Sequence, residues 1–167
     1  MADNPERGLI PLSSHELIAP QTVVNRILGE MVESALAVAN VVTKEAELDA
    51  LVKEARRLQE GGAGNEMTPN NVRAFHLFLR AAEGGYPEAQ YEVSYCFSFG
   101  DGVRRDQVQA DRWKRLAAEQ GFAEAQFRMG NGLMNTGKLV EGVEWLRKAA
   151  EQGHPFSQQM LINPAIR

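Results

Sequence analysis

Between residues 21 and 42 the chain places apolar side chains at Val24, Leu28, Met31, Ala35, Val38 and Val42, in alternating steps of four and three. Ile27, Val32, Leu36 and Ala39 flank that stripe, while Arg26, Glu30, Glu33 and Asn40 fall on the other side. The spacing predicts a helix with a wide apolar face, suited to pairing with another helix. About ten such side chains left in water would each forgo roughly 1.5–3 kcal/mol, so the face must pack on something. It either caps the units that follow or pairs with a second copy of the chain.

Thr43 then reads as the cap of a second helix over 44–60, with Leu48, Leu51, Val52, Ala55 and Leu58 inward. The glycine-rich stretch 61–65 ends it, and Thr68-Pro69 opens the next helix with a hydroxyl cap and a proline in the first turn. Ahead of all this, residues 1–19 show little apolar periodicity and read as a loosely ordered arm. Its Leu9, Ile10, Leu12, Leu17 and Ile18 form a short set able to dock on the domain or a partner.

From here the apolar pattern recurs. Ala117-Ala118-Glu119-Gln120-Gly121 returns unchanged at 149–153, and as Ala81-Ala82-Glu83-Gly84-Gly85 in its first occurrence. The neighbours repeat at the same offsets. Ala74, Ala110 and Gly142 are small, and Leu77, Trp113 and Trp145 are large and apolar. The motifs are followed by Tyr86-Pro87-Glu88-Ala89-Gln90, Phe122-Ala123-Glu124-Ala125-Gln126 and His154-Pro155-Phe156-Ser157-Gln158. Periods of 36 and then 32 residues mean stacked supersecondary units. Paired alanines favour helix and close approach. Gly85, Gly121 and Gly153 supply the left-handed residue that stops a helix, and Pro87 and Pro155 fit the first turn of the next. Asp106 with Gln109 is a capping-box pattern.

The run Pro87-Glu-Ala-Gln90, Gly100-Asp-Gly-Val103, Asp106, Ala110, Trp113 and Ala117 to Gly121 resembles the Sel-one-like repeat, an α-solenoid family related to tetratricopeptide repeats. The likeness is specific over 86–121, good over 122–153 and partial over 45–85. The third unit departs from it, joining its helices through Asn135-Thr136-Gly137-Lys138 in a loop four residues shorter. The expected fold is all-α: a short right-handed solenoid of about three helix pairs behind an amphipathic helix. Its parts are an arm over 1–19, a capping or dimerising helix over 20–43, a degenerate first repeat over 44–85, repeats over 86–121 and 122–153, and a C-terminal capping helix over 154–167 that Asn163-Pro164 stops. The resemblance implies protein–protein interaction: an adaptor, a regulator, or a neutralising partner of a toxin or secreted effector.

Composition narrows the class. The formal net charge is −4; acids outnumber bases over 1–60, and the two balance over 86–167. That is not the basic excess of a nucleic-acid surface. Lone Cys96 excludes an intramolecular disulfide framework. The N-terminal residues lack the pattern of a secretory signal, and no apolar run is long enough to span a bilayer, so a cytoplasmic protein is expected.

Catalytic chemistry finds no constellation. His15, His76 and His154 have no second ligand at helical spacing, Cys96 has no nearby histidine, and Gly100-Asp101-Gly102 lacks the strand and lysine of a phosphate loop. No enzyme activity, cofactor or metal is expected. Binding is better marked. On the helix from Pro87, Ala89, Val93 and Phe97 define the packed face, and at 100° per residue Tyr95 and Phe99 point away from it, with Tyr91 and Glu92 at the flanks. Packing on the preceding helix would also account for these rings. Phe127, Arg128, Asn131 and Asn135 hold the corresponding strip one unit on. Together these positions suit a peptide or a partner's helix. A basic set, Arg104, Arg105, Arg112 and Arg115 with Lys114, would suit an acidic segment, or form a solvated surface offset by Asp101, Asp106 and Asp111.

Overall fold

The computed structural model describes residues 20–60 and 67–162. The expected arm at 1–19, the glycine-rich stretch 61–65 and the stop at Asn163-Pro164 lie outside them. Among the described residues there are seven helices and no strand: α1 (Pro20–Glu60), α2 (Pro69–Glu83), α3 (Pro87–Phe99), α4 (Gln107–Glu119), α5 (Ala123–Asn135), α6 (Leu139–Glu151) and α7 (Pro155–Ile162). Two compact units divide between Val42 and Thr43.

The helix expected to begin after Thr43 is instead a continuation of α1. Thr43-Lys44-Glu45-Ala46-Glu47 contains no glycine or proline, and four of its five residues are good helix formers. A hydroxyl able to cap does not stop a helix that nothing else breaks. In the first unit every large apolar side chain from Val24 to Val42 keeps between 47% and 66% of its surface in water.

In the second unit consecutive helices from α2 to α7 pack each on the next. Val52 and Ala55 of α1 enter a core with Phe75, Phe78, Val93 and Cys96, edged by Leu48, Leu51 and Leu58. A second cluster forms around Ala117, Ala118 and Ala125, with Tyr91, Phe122, Met129 and Trp145 packed on it. The result is an all-α solenoid built from helix pairs.

The repeated pentapeptide acts through its backbone. In each copy the glycine N–H donates to the second alanine's carbonyl, and the following residue's N–H donates to the first alanine's: Gly85 to Ala82 and Tyr86 to Ala81, Gly121 to Ala118 and Phe122 to Ala117, Gly153 to Ala150 and His154 to Ala149. The glycine takes φ of 95°, 95° and 85° in turn. This is a left-handed helix stop with both late carbonyls satisfied. The same alanine carbonyl also receives a side chain from the next helix: Gln90 Nε2 to Ala82 O, Gln126 to Ala118 O, and Gln158 to Ala150 O. Gln120 then donates to Gln90 Oε1 at 2.9 Å and Gln152 to Gln126 Oε1 at 2.8 Å. A ladder of amides thus ties one unit to the next.

The caps follow the expected residues with one exception. Thr68 Oγ1 accepts from Asn71 N, and Asp106 Oδ1 accepts from Val108 N and Gln109 N. The capping box at Asp106 is not reciprocal, because the Asp106 N–H donates to Phe97 O instead. The Gly100–Val103 loop, which is longer than its counterpart at Gly137, presses on α2. A Cβ on Gly102, which has φ +67°, would stand 2.1 Å from Asn71 O. Helices α5 and α6 cross closely through Gly130 and Gly142, where a Cβ on either would come within 3 Å of the other's carbonyl oxygen.

Candidate partner-binding groove

Helices α3 and α5 hold corresponding positions in successive repeats, and a groove opens between them over α4. Its cavity measures about 300 Å³ and is lined by Tyr91, Ser94, Tyr95, Ser98 and Phe99 of α3, Lys114 of α4, and Arg128, Asn131 and Gly132 of α5. Three helices contribute to it. The depression along α1 and that on α4 are larger in volume, about 470 and 540 Å³, but each is walled by a single helix.

The α3 wall is aromatic because its stripe at 91, 95 and 99 lies off the packed face, where Ala89 and Val93 are fully buried. Tyr95 and Phe99 are 42% and 51% exposed, and their rings lie 4.4 Å apart between centroids, tilted by 41°. Two large rings therefore face water side by side without a covering side chain. Tyr91 is more deeply set, with its ring 5.4 Å from Phe122. Its hydroxyl donates to Glu124 Oε1 at 3.4 Å. Burial first, then the Glu124 carboxylate, pushes the Tyr91 phenol above its ordinary value, so it remains a donor at neutral pH.

The α5 wall is polar. Arg128 Nε donates to Glu124 Oε1 at 2.7 Å, and its guanidinium also lies over the Phe127 ring at 5.5 Å. Asn131 offers an amide. Gly132 leaves open space, with no atom within 4 Å of where a Cβ would be. Lys114 Nζ, bonded to Asp111 at 2.8 Å, completes the floor. Both cations are held by carboxylates outside the cavity lining, so the groove offers donors and aromatic faces without a bare charge.

Behind the groove, Glu124 Oε2 meets His154 Nε2 at 2.9 Å, and the His154 ring stacks on Phe127 at 4.6 Å. Ser157 N donates to His154 Nδ1 at 3.3 Å, which makes Nδ1 the acceptor and places the ring proton on Nε2, facing Glu124. Ser157 is fully buried, and its hydroxyl lies 3.1 Å from the same Nδ1. Serine, histidine and glutamate are thus joined, but as the cap of α7 and not as an accessible nucleophile. Cys96 is likewise buried, and burial pushes its thiol up to about 12. Among the described residues no group of three or more His, Cys, Asp or Glu side chains comes together in a way that could hold a metal ion. None of the described helices is long and apolar enough to cross a membrane.

The groove therefore gathers Tyr91, Tyr95, Phe99, Arg128 and Asn131 from the strip read in the sequence. It does not gather the other three. Glu92 is held by Arg56 at 2.6 Å together with Glu88, Phe127 is packed under His154 and Phe156, and Asn135 is exposed at the end of α5. The basic set also divides. Arg112 and Arg115 line a shallow face of α4 with Val108, Asp111 and Leu116, whereas the exposed Arg104 and Arg105 do not line it. Ser94, Ser98 and Gly132 were not anticipated, and Lys114 was read with the basic set and not with this strip. Ser98 lies seven residues after Tyr91 and so shares its helical stripe, a signal the sequence carried. Lys114 reaches the groove from another helix, and no local pattern marks that.

Successive helix pairs, each closed by the same glycine stop and tied to the next by glutamine amides, define an α-solenoid repeat protein. Residues 55–86, 87–122 and 123–154 each match the Sel1 repeat, and the chain belongs to that family. It is 34% identical over 98 residues to chitin synthase regulatory factor 3 of Schizosaccharomyces pombe, covering 56% of this chain and 10% of that protein. It is 27% identical over 109 residues to the exopolysaccharide production negative regulator of Rhizobium leguminosarum bv. viciae, covering 65% and 41%. A Sel1 repeat protein from Oxalobacter formigenes of known structure superposes with a TM-score of 0.57 at 28% identity, over 66% of this chain and 45% of that one. The chain thus spans less than half the length of each of these proteins.

Proposed function

We propose that the protein is a non-catalytic interaction module that holds a segment of one dedicated partner protein in the groove between α3 and α5, and so acts as an adaptor or regulator. The observation that carries this reading is the exposed Tyr95–Phe99 pair facing Asn131 and Arg128 across a cavity of about 300 Å³. Aromatic faces supply area at low entropic cost, and a facing amide fixes the register of an extended backbone or a helix's polar edge. The two relatives described above carry regulators' names, which supports a regulatory role over a structural one.

A test compares wild type with the Tyr95→Ala/Phe99→Ala/Asn131→Ala variant as bait in native lysate, followed by calorimetric titration of any partner retained. Loss of at least tenfold in affinity is expected, with circular dichroism unchanged and with a Val108→Ala/Leu116→Ala variant on α4 binding as wild type. A partner that binds the groove variant as tightly as wild type would overturn the reading.

A further inference from the structure

We propose that the outward face of α4 is a second docking surface, which takes a short acidic segment of another protein with apolar side chains beside its carboxylates. The surface is separate from the α3–α5 groove and stands whatever the groove binds.

Charge on this stretch runs against that of the rest of the chain. Residues 104–115 contain five bases and two acids, a net +3 within a total of −4, so the remaining residues carry −7. Both acids are already engaged. Asp106 accepts from the N–H groups of Val108 and Gln109, and Asp111 accepts from Lys114 Nζ and Gln107 Nε2. Arg104, Arg105, Arg112 and Arg115 are all exposed, and among the described residues none of them makes an ion pair or a hydrogen bond. Arg115 acts on Asp111 only at longer range. A guanidinium that spends no N–H on its own protein keeps its whole fork for a carboxylate.

The apolar neighbours refine the occupant. Val108 and Leu116 are 63% and 43% exposed, and they line one depression of α4 together with Arg112 and Arg115. Offsets of four, seven and eight residues place all of these on one side of the helix. Valine and leucine thus bracket two guanidinium groups over about 12 Å. A plain polyanion would leave both apolar side chains uncovered, and a plain apolar segment would desolvate the cations without pairing them. An acidic segment with flanking apolar residues satisfies both. One repeat on, the corresponding positions are Val140, Glu144, Arg147 and Lys148. Glu144 stands where α4 has Arg112, so the unpaired basic face belongs to α4 and not to the repeat as such.

Screening separates this occupant from larger anions. Exposed charges interact over about 8 Å at physiological salt, so a short segment lying on α4 meets chiefly the local net +3. A nucleic acid or an anionic bilayer extends further and meets the negative remainder as well.

Peptide display tests the proposal. Random peptides of about sixteen residues, long enough to span Val108 to Leu116 even as a helix, are enriched on wild type and depleted on Arg112→Gln/Arg115→Gln. Lys114 is left in place because it lines the groove. Surviving peptides are expected to be rich in Asp and Glu beside Leu, Ile, Val or Phe. A synthetic survivor is expected to lose at least about tenfold in affinity on Arg112→Gln/Arg115→Gln, measured by fluorescence anisotropy. The same loss is expected on Val108→Ser/Leu116→Ser, and on replacing the peptide's acids with amides. Tyr95→Ala/Phe99→Ala/Asn131→Ala is expected to bind it as wild type, and added salt to weaken it. Arg112→Glu/Arg115→Glu is expected to prefer the same peptide with lysines in place of its acids, a reversal that misfolding cannot produce. Failure to recover any peptide overturns the proposal, as do survivors without acids or survivors indifferent to Val108 and Leu116. Tighter binding of an oligonucleotide or of phosphatidylserine vesicles to the same arginines overturns it in favour of those anions. Sedimentation equilibrium in which wild type self-associates and Arg112→Gln/Arg115→Gln does not would assign the face to a second copy instead.

Discussion

Leu48 of α1 occupies the space that a side chain at Gly84 would need: a Cβ built there would stand 2.6 Å from Leu48 Cδ2. This explains the one substitution in the repeated pentapeptide. In the later copies the same position is Gln120 or Gln152, which reaches back to the glutamine on the first helix of its own unit. The first copy has α1 there instead, and a leucine fills the place of the amide. Gly84 has ordinary helical φ and ψ, so the constraint is contact and not backbone conformation. Gly84→Ala is expected to destabilise the wild type by about 1 kcal/mol through overpacking. In a Leu48→Ala background the same change is expected to be neutral or stabilising. Urea unfolding of the four proteins measures the coupling, and simple additivity would contradict the account.

The glutamine ladder predicts a contrast between two chemically equal bonds. Gln126 is 4% exposed, donates to Ala118 O and accepts from Gln152, while Gln158 makes the same carbonyl bond from an exposed position. Replacing Gln126 with leucine removes one buried and one partly buried hydrogen bond and is expected to lower stability by about 1–3 kcal/mol. Gln158→Leu is expected to change it by about 0.5 kcal/mol or less, since water replaces the lost partner. Equal effects in thermal unfolding would mean that the ladder adds nothing beyond packing.

The Glu124 carboxyl sits below its ordinary value of 4.5. Burial acts to raise it, but hydrogen bonds from His154 and Arg128 outweigh that effect. The unfolded chain therefore takes up this proton more readily than the folded one. Its contribution to stability is complete above the unfolded value and is lost as the pH falls through the lower, folded value. Glu124→Gln is expected to have a lower urea midpoint than wild type at pH 7, with the gap closing as the pH drops below about 4.5. A gap that stays constant into acid would show that the charge on Glu124 plays no part.

Residues near one another in the chain made most of the fold legible. Ala-Ala-Glu-Gln-Gly specifies a helix stop that depends on five consecutive residues and one left-handed glycine, so its recurrence located the helix ends. The outward stripe of Tyr91, Tyr95 and Phe99 followed from 100° per residue on a helix whose buried face was marked by Ala89 and Val93. What remained hidden depends on neighbours distant in sequence. Lys114 comes into the groove from another helix, Phe127 leaves it to stack on His154, and Glu92 is taken by Arg56 across 36 residues. Gly84 appeared as degeneracy until Leu48 was seen beside it. Thr43 appeared as a boundary because capping is a local preference, yet α1 continues through it. The sequence by itself determined where helices stop and which faces are apolar, because backbone conformation and periodicity are properties of short segments. Only the tertiary structure decided which polar and aromatic side chains share a surface, because that depends on how one helix packs on another.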